Sequence, residues 1–452
     1  MPPCEGQTRE ANAEAKSQAY DNGHITNVPA GKFKDRPACF DVGITTVGWL
    51  KGKRIDDDIG PYWRVHNKLY DLTDFAKRHP GGKEWITMTK GTDITEAFES
   101  SHVSLTAEKI LSKYFVKDIG TPRKSPYTFH ENGFFRTFKR KVRPVLEKIG
   151  RGPSRQMLFM QDTLFISFVV LAIFASVSGS YLLGILSGIV LALTVVCSHN
   201  FFHQGDNFRM YYWDFGLLTS NDWRISHGLS HHLFTNTRYD MDIVAVEPFL
   251  TFLPKPDKNF IQRFAAQIYS VLLLPLIFYS EFFKRIYIVV TGQTPLRPEN
   301  LLPFLELFVM CGLSSSVAAG IKVWLILHAA CSTCFTFIGL VSSHHHPDIY
   351  HDGDRFRENP DWGLCQLDAA RDRFETKGNL FLVATTFGDH CLHHLLPTVD
   401  HSKLDSLYPA FYETCREFNV PFEFLTQWEL VCGTCQQLAK NTPNPNPPGY
   451  IN

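Results

Sequence analysis

The chain has 452 residues, which predicts two or three domains, and its 45 basic residues balance its 45 acidic ones. A net charge of zero gives no general argument for a nucleic-acid partner. Hydrophobic residues make up 44 %, yet long apolar runs begin only after residue 160. The N-terminus has no basic stretch followed by an apolar one, so it does not resemble a secretory signal peptide, and the polar first third is expected in the cytosol.

In chain order, the sequence divides into five predicted segments. A polar, aperiodic stretch predicts a flexible leader, and alternating strand and helix patterns then predict a small α+β domain. A basic linker leads into apolar runs that predict an all-α membrane domain of about four spans, followed by a Pro-rich flexible end. The predicted bounds are 1–44 for the leader, 45–120 for the small domain, 121–155 for the linker, 156–425 for the membrane domain and 426–452 for the tail.

The small domain begins with two predicted strands within 63–72, joined by a turn at 66–68. A short helix is expected to start after Asp71, with Thr73 or Asp74 as its N-cap. Three further helices are predicted, with bounds at 83–89, 93–100 and 106–113.

The first pair of apolar runs predicts a membrane-crossing hairpin. It covers 160–178 and 181–198 and turns at Gly179-Ser180. Each run approaches the roughly 20 residues that a bilayer requires.

A second hairpin is predicted at 301–319 and 321–343, turning at Gly320. The apolar segment 266–290 contains Pro275 and several charges, so it predicts either an interfacial helix or a pair of half-spans.

The linker predicts the orientation in the membrane. Between Arg136 and Arg155 there are eight Lys or Arg and one Glu, an excess that marks the cytoplasmic side of a span. Each hairpin returns the chain to its starting face, so the segments after 198 and after 343 are expected on that same face.

Two histidines of the small domain, His79 and His102, lie near predicted helix ends and could face each other across a groove. Two neutral imidazoles close both axial positions of a haem, which then transfers electrons and has no position for oxygen. Gly81 and Gly82 would let the backbone approach the porphyrin. Spacing alone leaves open the alternative that both histidines are solvated surface residues.

The surrounding residues resemble a cytochrome b5 domain over 62–119. The matching motifs are Tyr70-Asp71-Leu72-Thr73-Asp74-Phe75, His79-Pro80-Gly81-Gly82, and Gly91-Thr92-Asp93-Ile94-Thr95 with Phe98-Glu99-Ser100-Ser101-His102. This resemblance implies haem b as a cofactor and His79 and His102 as its axial ligands.

Four histidine clusters follow the predicted hairpins. They are His199-Asn-Phe-Phe-His203, His227-Gly-Leu-Ser-His231-His232, His344-His345-His346 and His390-Cys-Leu-His393-His394. On a helix, residues three or four apart share one face, so His199/His203, His227/His231 and His390/His393/His394 should each point at one place, and His232 at a neighbouring one. A single histidine would more simply be a hydrogen-bonded polar residue. Four clusters at one membrane face predict a metal centre, although imidazole suits iron, zinc and copper alike.

Residues 160–420 resemble the membrane-bound fatty acid desaturase and hydroxylase superfamily, whose boxes are H-x3-H, H-x(2–3)-HH and (H/Q)-x2-HH. The resemblance implies two non-haem iron ions with eight catalytic ligands: His199, His203, His227, His231, His232, His390, His393 and His394. An H-x-H-P element implies His344 or His346 as a further ligand. His390 stands where front-end desaturases typically have Gln. His328 is expected in the core, and His351 and His401 beside the site or at the surface.

Together the resemblances imply an oxidoreductase that desaturates lipid acyl chains with O₂, with hydroxylation left open because it starts from the same hydrogen abstraction. Electrons would come from a flavoprotein NADH-dependent cytochrome b5 reductase through the fused haem. The family also implies a multi-pass protein of the endoplasmic reticulum membrane with both termini in the cytosol.

Two other functions remain open at this stage. The chain could be a membrane-anchored electron-transfer haemoprotein whose desaturase-like domain is inactive or of hydroxylase type. The clusters could also be structural zinc sites, although four ligands would suffice for one zinc ion and the histidines exceed that number.

Overall fold

The computed structural model describes Phe33, residues 37–42 and residues 45–448. Two helices, α1 (Cys39–Val42) and α2 (Thr46–Asp57), precede the small domain. The small domain then contains β1 (Trp63–Val65), β2 (Lys68–Tyr70), a 3₁₀ turn (Ala76–Arg78), α3 (Lys83–Met88), α4 (Thr95–Ser101), α5 (Thr106–Leu111), a second 3₁₀ turn (Ser112–Tyr114) and β3 (Phe115–Asp118).

The small domain is an antiparallel three-stranded sheet covered by short helices. The strand order is β1-β2-β3, with Trp63 opposite Tyr70 and Lys68 opposite Asp118. Its core includes Trp63, Ile86 and Leu111. The predicted α+β class is therefore confirmed for this part.

The helix predicted after Asp71 is wrong in position and cap. The Thr73 N–H donates to Oδ1 of Asp71, a local turn that competes with helix formation. A single 3₁₀ turn follows at Ala76–Arg78, and its N-cap residue, Phe75, makes no side-chain cap.

The rest of the chain is helical apart from one two-stranded parallel pair. Its α-helices are α6 (Phe134–Ile149), α7 (Arg155–Ser178), α8 (Tyr181–Phe202), α9 (Ser220–Trp223), α10 (His232–Phe234), α11 (Met241–Val244), α12 (Ala266–Leu273), α13 (Ile277–Val290), α14 (Leu302–Leu313), α15 (Val317–Leu340), α16 (Trp362–Asp368), α17 (Leu380–Thr385), α18 (His390–Leu395), α19 (His401–Leu404), α20 (Tyr408–Glu417) and α21 (Gln427–Ala439). Between them lie 3₁₀ turns at Phe208–Gly216, Leu274–Leu276, Pro298–Leu301, Phe374–Thr376 and Asp405–Leu407, π-helical turns at Arg224–His231 and Ile261–Ala265, and the strands β4 (Asp372–Arg373) and β5 (Phe424–Leu425).

Four of the described helices are long and apolar enough to cross a membrane: α7, α8, the bent helix Ile261–Val290 and α15. The first predicted hairpin is confirmed in detail. Gly179 ends α7 in the left-handed conformation (φ +67°), and the Ser180 hydroxyl caps α8 by accepting from the Leu183 N–H. Gly has no Cβ to oppose a positive φ, which is why the turn falls there.

The second predicted hairpin differs in its turn. The helix α14 has only 12 residues, and the chain reverses at 314–316, where the Ser316 hydroxyl caps α15 by accepting from the Ala319 N–H. Gly320 lies inside α15. A Cβ there would lie 2.6 Å from the Cα of Cys311, so this glycine serves the packing of α14 on α15 and not a turn.

The segment Ile261–Val290 bends at Pro275. Near its start Arg263 donates to the Ala439 carbonyl (2.8 Å), and near its end Arg285 pairs with Asp222 (3.3 Å). Both partners belong to the cap, which we define as residues 203–259 and 341–448. Both ends of this segment therefore contact the cap, an arrangement that an interfacial helix and a pair of half-spans share.

The helices α8 and α15 cross at a small-residue motif, Gly184-x-x-x-Gly188. A Cβ on Gly188 would overlap the Leu327 carbonyl oxygen, whereas one on Gly184 would make an ordinary contact, 3.5 Å from Val323. Small residues at four-residue spacing let membrane helices approach closely. The crossing brings together the two helices whose cap-side ends carry His199 and the His344 loop.

The predicted linker contains α6, whose basic residues join the domains. Lys139 pairs with the buried Glu99 of the small domain (3.0 Å), and Arg136 pairs with the same carboxylate. Lys141 contacts Glu413 (2.9 Å) and Glu417 of α20. Part of the charge that predicted a membrane-flanking segment therefore holds the small domain on the cap.

The predicted ends of the chain are more ordered than expected where they are described. Most of the leader, 1–44, lies outside the described residues, but Phe33 is buried against Tyr239 of the cap at 5.8 Å between ring centroids. The predicted tail contains α21, whose Gln437 donates to the Phe252 carbonyl (2.8 Å). Both ends are thus held by the cap.

Candidate haem pocket and candidate metal centre

The two histidines predicted as haem ligands face each other in the small domain. His79 follows the 3₁₀ turn and His102 follows α4, and their ring centroids lie 6.2 Å apart. This separation fits two imidazoles on opposite sides of one metal ion, with about 2 Å from each nitrogen to the metal.

Both rings are oriented by hydrogen bonds on the side away from the pocket. The Nδ1 of His79 lies 2.9 Å from the Gly82 carbonyl, and the Nδ1 of His102 lies 2.9 Å from the Phe98 carbonyl. These carbonyls fix the proton on Nδ1 and leave Nε2 for a metal, as partners of metal-bound histidines do. Burial lowers the pKa of His102 to about 4, so its ring is neutral at neutral pH.

A cavity of about 600 Å³ opens between these rings. On the small-domain side its wall is mostly apolar and includes Leu72, Phe75, Ile86, Phe98 and Leu111. Its volume, its apolar wall and its two facing imidazoles fit a haem. Its far wall belongs to the cap and includes His203, Gly228 and Leu229.

Nine histidines, His199 of α8 and eight from the cap, converge as two groups, and within each group the potential ligand atoms lie within 4.8 Å of one another. Group A is His199, His203, His227, His232 and His393. Group B is His231, His344, His390 and His394. All nine side chains are buried.

The facing atoms within each group are the Nε2 nitrogens. In group A the Nε2 of His199 lies 2.9 Å from that of His227 and 3.0 Å from that of His203. In group B the Nε2 of His390 lies 2.6 Å from that of His344 and 3.1 Å from that of His394. Lone pairs at this distance repel unless a cation lies between them. Distances near 3 Å are those expected of ligands at right angles around a metal at about 2.1 Å.

The groups adjoin each other at Asp242. Its Oδ2 lies 2.9 Å from the Nδ1 of His227 in group A and 3.8 Å from the Nδ1 of His231 in group B. The arrangement therefore offers two neighbouring metal positions, one with five imidazoles and one with four.

The structure corrects the prediction of which histidines share a helix face in the second and third boxes. The residues 224–231 form a π-helical turn, in which the His232 N–H bonds the His227 carbonyl, so residues five apart align. His227 therefore joins His232 in group A, and His231 joins group B. In α18, His390 and His394 are four apart and share group B, whereas His393 turns to group A.

Carboxylates, a carbonyl and an amide orient several of these rings. Nδ1 of His231 bonds Asp240 (2.9 Å), Nδ1 of His344 bonds the Ala369 carbonyl (2.8 Å), and Nδ1 of His394 lies 3.0 Å from the side-chain amide group of Gln366. Sequence reasoning assigned no role to Gln366 or Ala369, and no spacing rule signals them. Asp240 and Asp242 lie shortly after the second box in the sequence. That proximity could have suggested that they orient its histidines.

The pKa shifts of three of these rings suit metal binding, whereas that of His231 has the opposite direction. Burial and neighbouring imidazoles hold the pKa of His232, His393 and His394 well below the ordinary histidine value, which keeps these rings neutral. Burial also lowers the pKa of His231, but the Asp240 and Asp242 carboxylates outweigh it and raise that pKa. Neutral imidazole is the form that binds a metal.

His345, His346 and His328 lie apart from both groups. Of the two candidates in the third cluster, the structure brings only His344 to the metal groups; His346 lies near Gly433 and the Asp348 carboxylate. His345 stacks on Phe252 at 3.6 Å. His328, expected in the core, is buried beside Glu306 (3.2 Å).

His401 lies beside group A, whereas His351 lies away from both groups. The His401 ring lies 4.6 Å from that of His393, and neither of its nitrogens has a hydrogen-bond partner among the described residues. Its place beside group A agrees with the expectation. His351 is buried and bonds the Ile349 carbonyl (3.0 Å), away from the groups.

Comparison with known proteins agrees with this geometry. The family model described as "Fatty acid desaturase" matches residues 176–426, more than half of the chain. The chain belongs to the fatty acid desaturase family. A second family model, "Cytochrome b5-like Heme/Steroid binding domain", matches residues 50–120 of this desaturase-family chain.

Relatives of this desaturase-family chain share both parts. The cytochrome b5-related protein of Drosophila melanogaster is 39 % identical over 410 residues, covering 90 % of this chain and 94 % of that protein. The Delta(5) fatty acid desaturase A of Dictyostelium discoideum is 22 % identical over 414 residues, covering 79 % and 85 %. The Delta(8)-fatty-acid desaturase of Helianthus annuus is 24 % identical over 447 residues, covering 85 % and 90 %. No solved structure matches the chain.

The predicted resemblances to cytochrome b5 and to membrane desaturases are thus confirmed, and the chain as a whole is similar to the insect cytochrome b5-related protein. So is the fold class, a small haem-domain fold followed by a mostly helical membrane domain with a histidine-rich cap. The chain is a desaturase-like membrane oxidoreductase by family.

Proposed function

We propose that this chain desaturates lipid acyl chains with O₂, using a haem b held by His79 and His102 and two iron ions held by groups A and B. The observation that carries the proposal is the convergence of nine buried imidazoles into two adjoining groups. A structural zinc ion needs four ligands, whereas these nine are divided between two neighbouring positions.

Bound iron would supply an oxidant strong enough to take hydrogen from an unactivated acyl carbon, a reaction beyond any side chain. The chain's own residues prepare the site for it. The eight histidines of the three boxes, with His344, are proposed as its ligands. Asp240 and Asp242 hold the proton on Nδ1 of His231 and His227, and burial keeps water from the groups.

The fused haem domain supports one-electron delivery to this site. His79, His102 and the group A ligand His203 line the same cavity, so the donor is held beside its acceptor. Tethering two partners makes their encounter intramolecular and raises the effective concentration of the donor. We propose an NADH-dependent flavoprotein reductase as the external electron source, and residence in the endoplasmic reticulum with both termini in the cytosol.

Lipid profiling tests the proposal. Cells that express the chain should contain a new unsaturated acyl product, and the variant with His390, His393 and His394 all changed to Ala should not make it. His346→Ala, which changes a histidine outside both groups, is the matched control and should retain the product. The same lipid profile in all three strains would contradict the proposal, and a hydroxylated product would assign the chemistry to hydroxylation.

A further inference from the structure

The two domains meet at Trp85, an aromatic residue of α3 that no haem or iron role accounts for. Its indole lines the cavity that contains His79 and His102, and the opposite wall of the same cavity contains His203. Trp85 therefore borders both the candidate haem pocket and a candidate iron ligand.

The cap is shaped to receive this indole. A Cβ on Gly228, in the π-helical turn, would lie 2.9 Å from Cη2 of Trp85 and 4.0 Å from Cε1 of His203. Only a residue without a side chain leaves room for the ring edge at this position, so the indole and the His203 imidazole are separated by little more than one glycine.

A buried cation fixes the indole from a second side. The Arg224 guanidinium lies 5.2 Å from the Trp85 ring centre, within the range of a cation–π interaction. Arg224 is itself anchored, since it is buried, donates to the Phe202 carbonyl (3.2 Å) and pairs with Asp206 (2.7 Å).

Asp206, the partner of Arg224, also lies against the loop that follows His79. A Cβ on Gly82 would lie 2.7 Å from both carboxylate oxygens of Asp206, and Gly82 has a φ of +105°. Gly82 also supplies the carbonyl that orients His79. On the other side, Glu84 pairs with Arg297 (2.6 Å). Trp85 lies at the centre of this row of contacts.

We propose that Trp85 is the positioning residue that couples the haem domain to group A, and that electrons cross at its contact with Gly228. This inference rests on the proposed function. In the step concerned, one electron leaves a ferrous haem and reduces one ferric ion at group A; the haem becomes ferric, and no bond forms or breaks.

The test uses the full-length protein loaded with haem and iron. Under anaerobic conditions the haem is reduced by a photo-excited flavin with a sacrificial amine, and its reoxidation by the ferric site is followed in the haem absorption band. Trp85→Leu should slow this transfer severalfold, because it removes the aromatic ring that holds the haem domain against Gly228. Trp85→Phe, which keeps an aromatic ring, should restore most of the rate.

Phe115→Leu is the matched control, because Phe115 is an exposed aromatic residue of the same domain on β3. It should leave the rate unchanged. The haem spectrum, the haem midpoint potential and the iron content are measured for every variant. An unchanged rate in Trp85→Leu, or a slowing that its altered haem potential explains in full, would overturn the inference.

A variant on the other side of the contact gives an independent readout. Gly228→Ala should slow the transfer in the wild-type background but add little in the Trp85→Leu background, because both changes disturb one contact. Additive effects would overturn the inference. If iron-loaded wild-type protein reoxidises its haem no faster than iron-free protein, the proposed electron route fails, and the role of Trp85 fails with it.

Discussion

At the scale of single residues, the candidate metal centre depends on atoms that are not proposed as metal ligands. His227, His231 and His344 each bond a fixed oxygen through Nδ1, whereas Nδ1 of His199, His232, His390 and His393 has no hydrogen-bond partner among the described residues. For these three oriented rings, a mutation can remove the hydrogen-bond partner of Nδ1 and leave the proposed metal ligand in place.

Asp240→Asn should weaken metal binding at group B. The amide is a poorer acceptor for the Nδ1 proton of His231, and loss of such partners typically lowers metal affinity about 10- to 100-fold. Iron retained after dialysis against a chelator measures the effect. Asp348→Asn, which changes an exposed carboxylate near His346, should behave as wild type, and equal retention in both variants would refute the assigned role of Asp240.

Removal of a proposed haem ligand should abolish haem binding without removing the non-haem iron. His79→Ala and His102→Ala are expected to abolish binding of a six-coordinate haem, since each removes one axial nitrogen, while non-haem iron remains near its wild-type content. Absorption spectra and metal analysis of the purified variants check this. Loss of non-haem iron together with haem would show that the two sites are not independent.

At the scale of elements, the approach of α8 to α15 sets the distance between the ligand-bearing helix ends. The sequence predicts both apolar runs, but the packing of Gly188 on Leu327 depends on residues more than 100 positions apart and cannot be deduced from periodicity. The same reason explains why Gly320 was assigned to a turn: a glycine in an apolar run signals a turn and a helix contact equally.

Gly188→Leu should force α8 and α15 apart and lower both thermal stability and iron content. The added side chain overlaps the Leu327 carbonyl, which is backbone and cannot move aside. Gly184→Ala, at the same spacing but with its nearest neighbour at 3.5 Å, should be tolerated. Thermal unfolding in detergent and iron analysis compare the two variants, and equal behaviour would contradict the close crossing.

At the scale of the whole molecule, the sequence predicts the kinds of residue at the site better than their partners. The box spacings identify the histidines, and the H-P-G-G motif identifies the haem domain. The division of nine histidines into two groups depends on the π-helical turn at 224–231, which no sequence period signals. The contact of Trp85 with Gly228 likewise arises only when the two domains are folded together.

The haem domain and the cap behave as one structure because their contacts are both apolar and ionic. The buried Glu99 accepts from Lys139 and Arg136 of the linker helix α6, and Arg123 of the linker pairs with Asp93 (2.8 Å) and Glu96 of the small domain. Such pairs fix the relative positions of haem pocket and metal groups, which is what electron delivery over a short distance requires.

The central claim is that one chain holds a haem and two further iron ions. Metal analysis of protein purified from iron-supplied cells tests it most directly, with haem counted separately by its pyridine complex. The account predicts about two non-haem iron ions for each haem. It also predicts that a His231→Ala, His390→Ala, His394→Ala triple variant loses one of them. Protein with a full complement of haem and no second metal would contradict it.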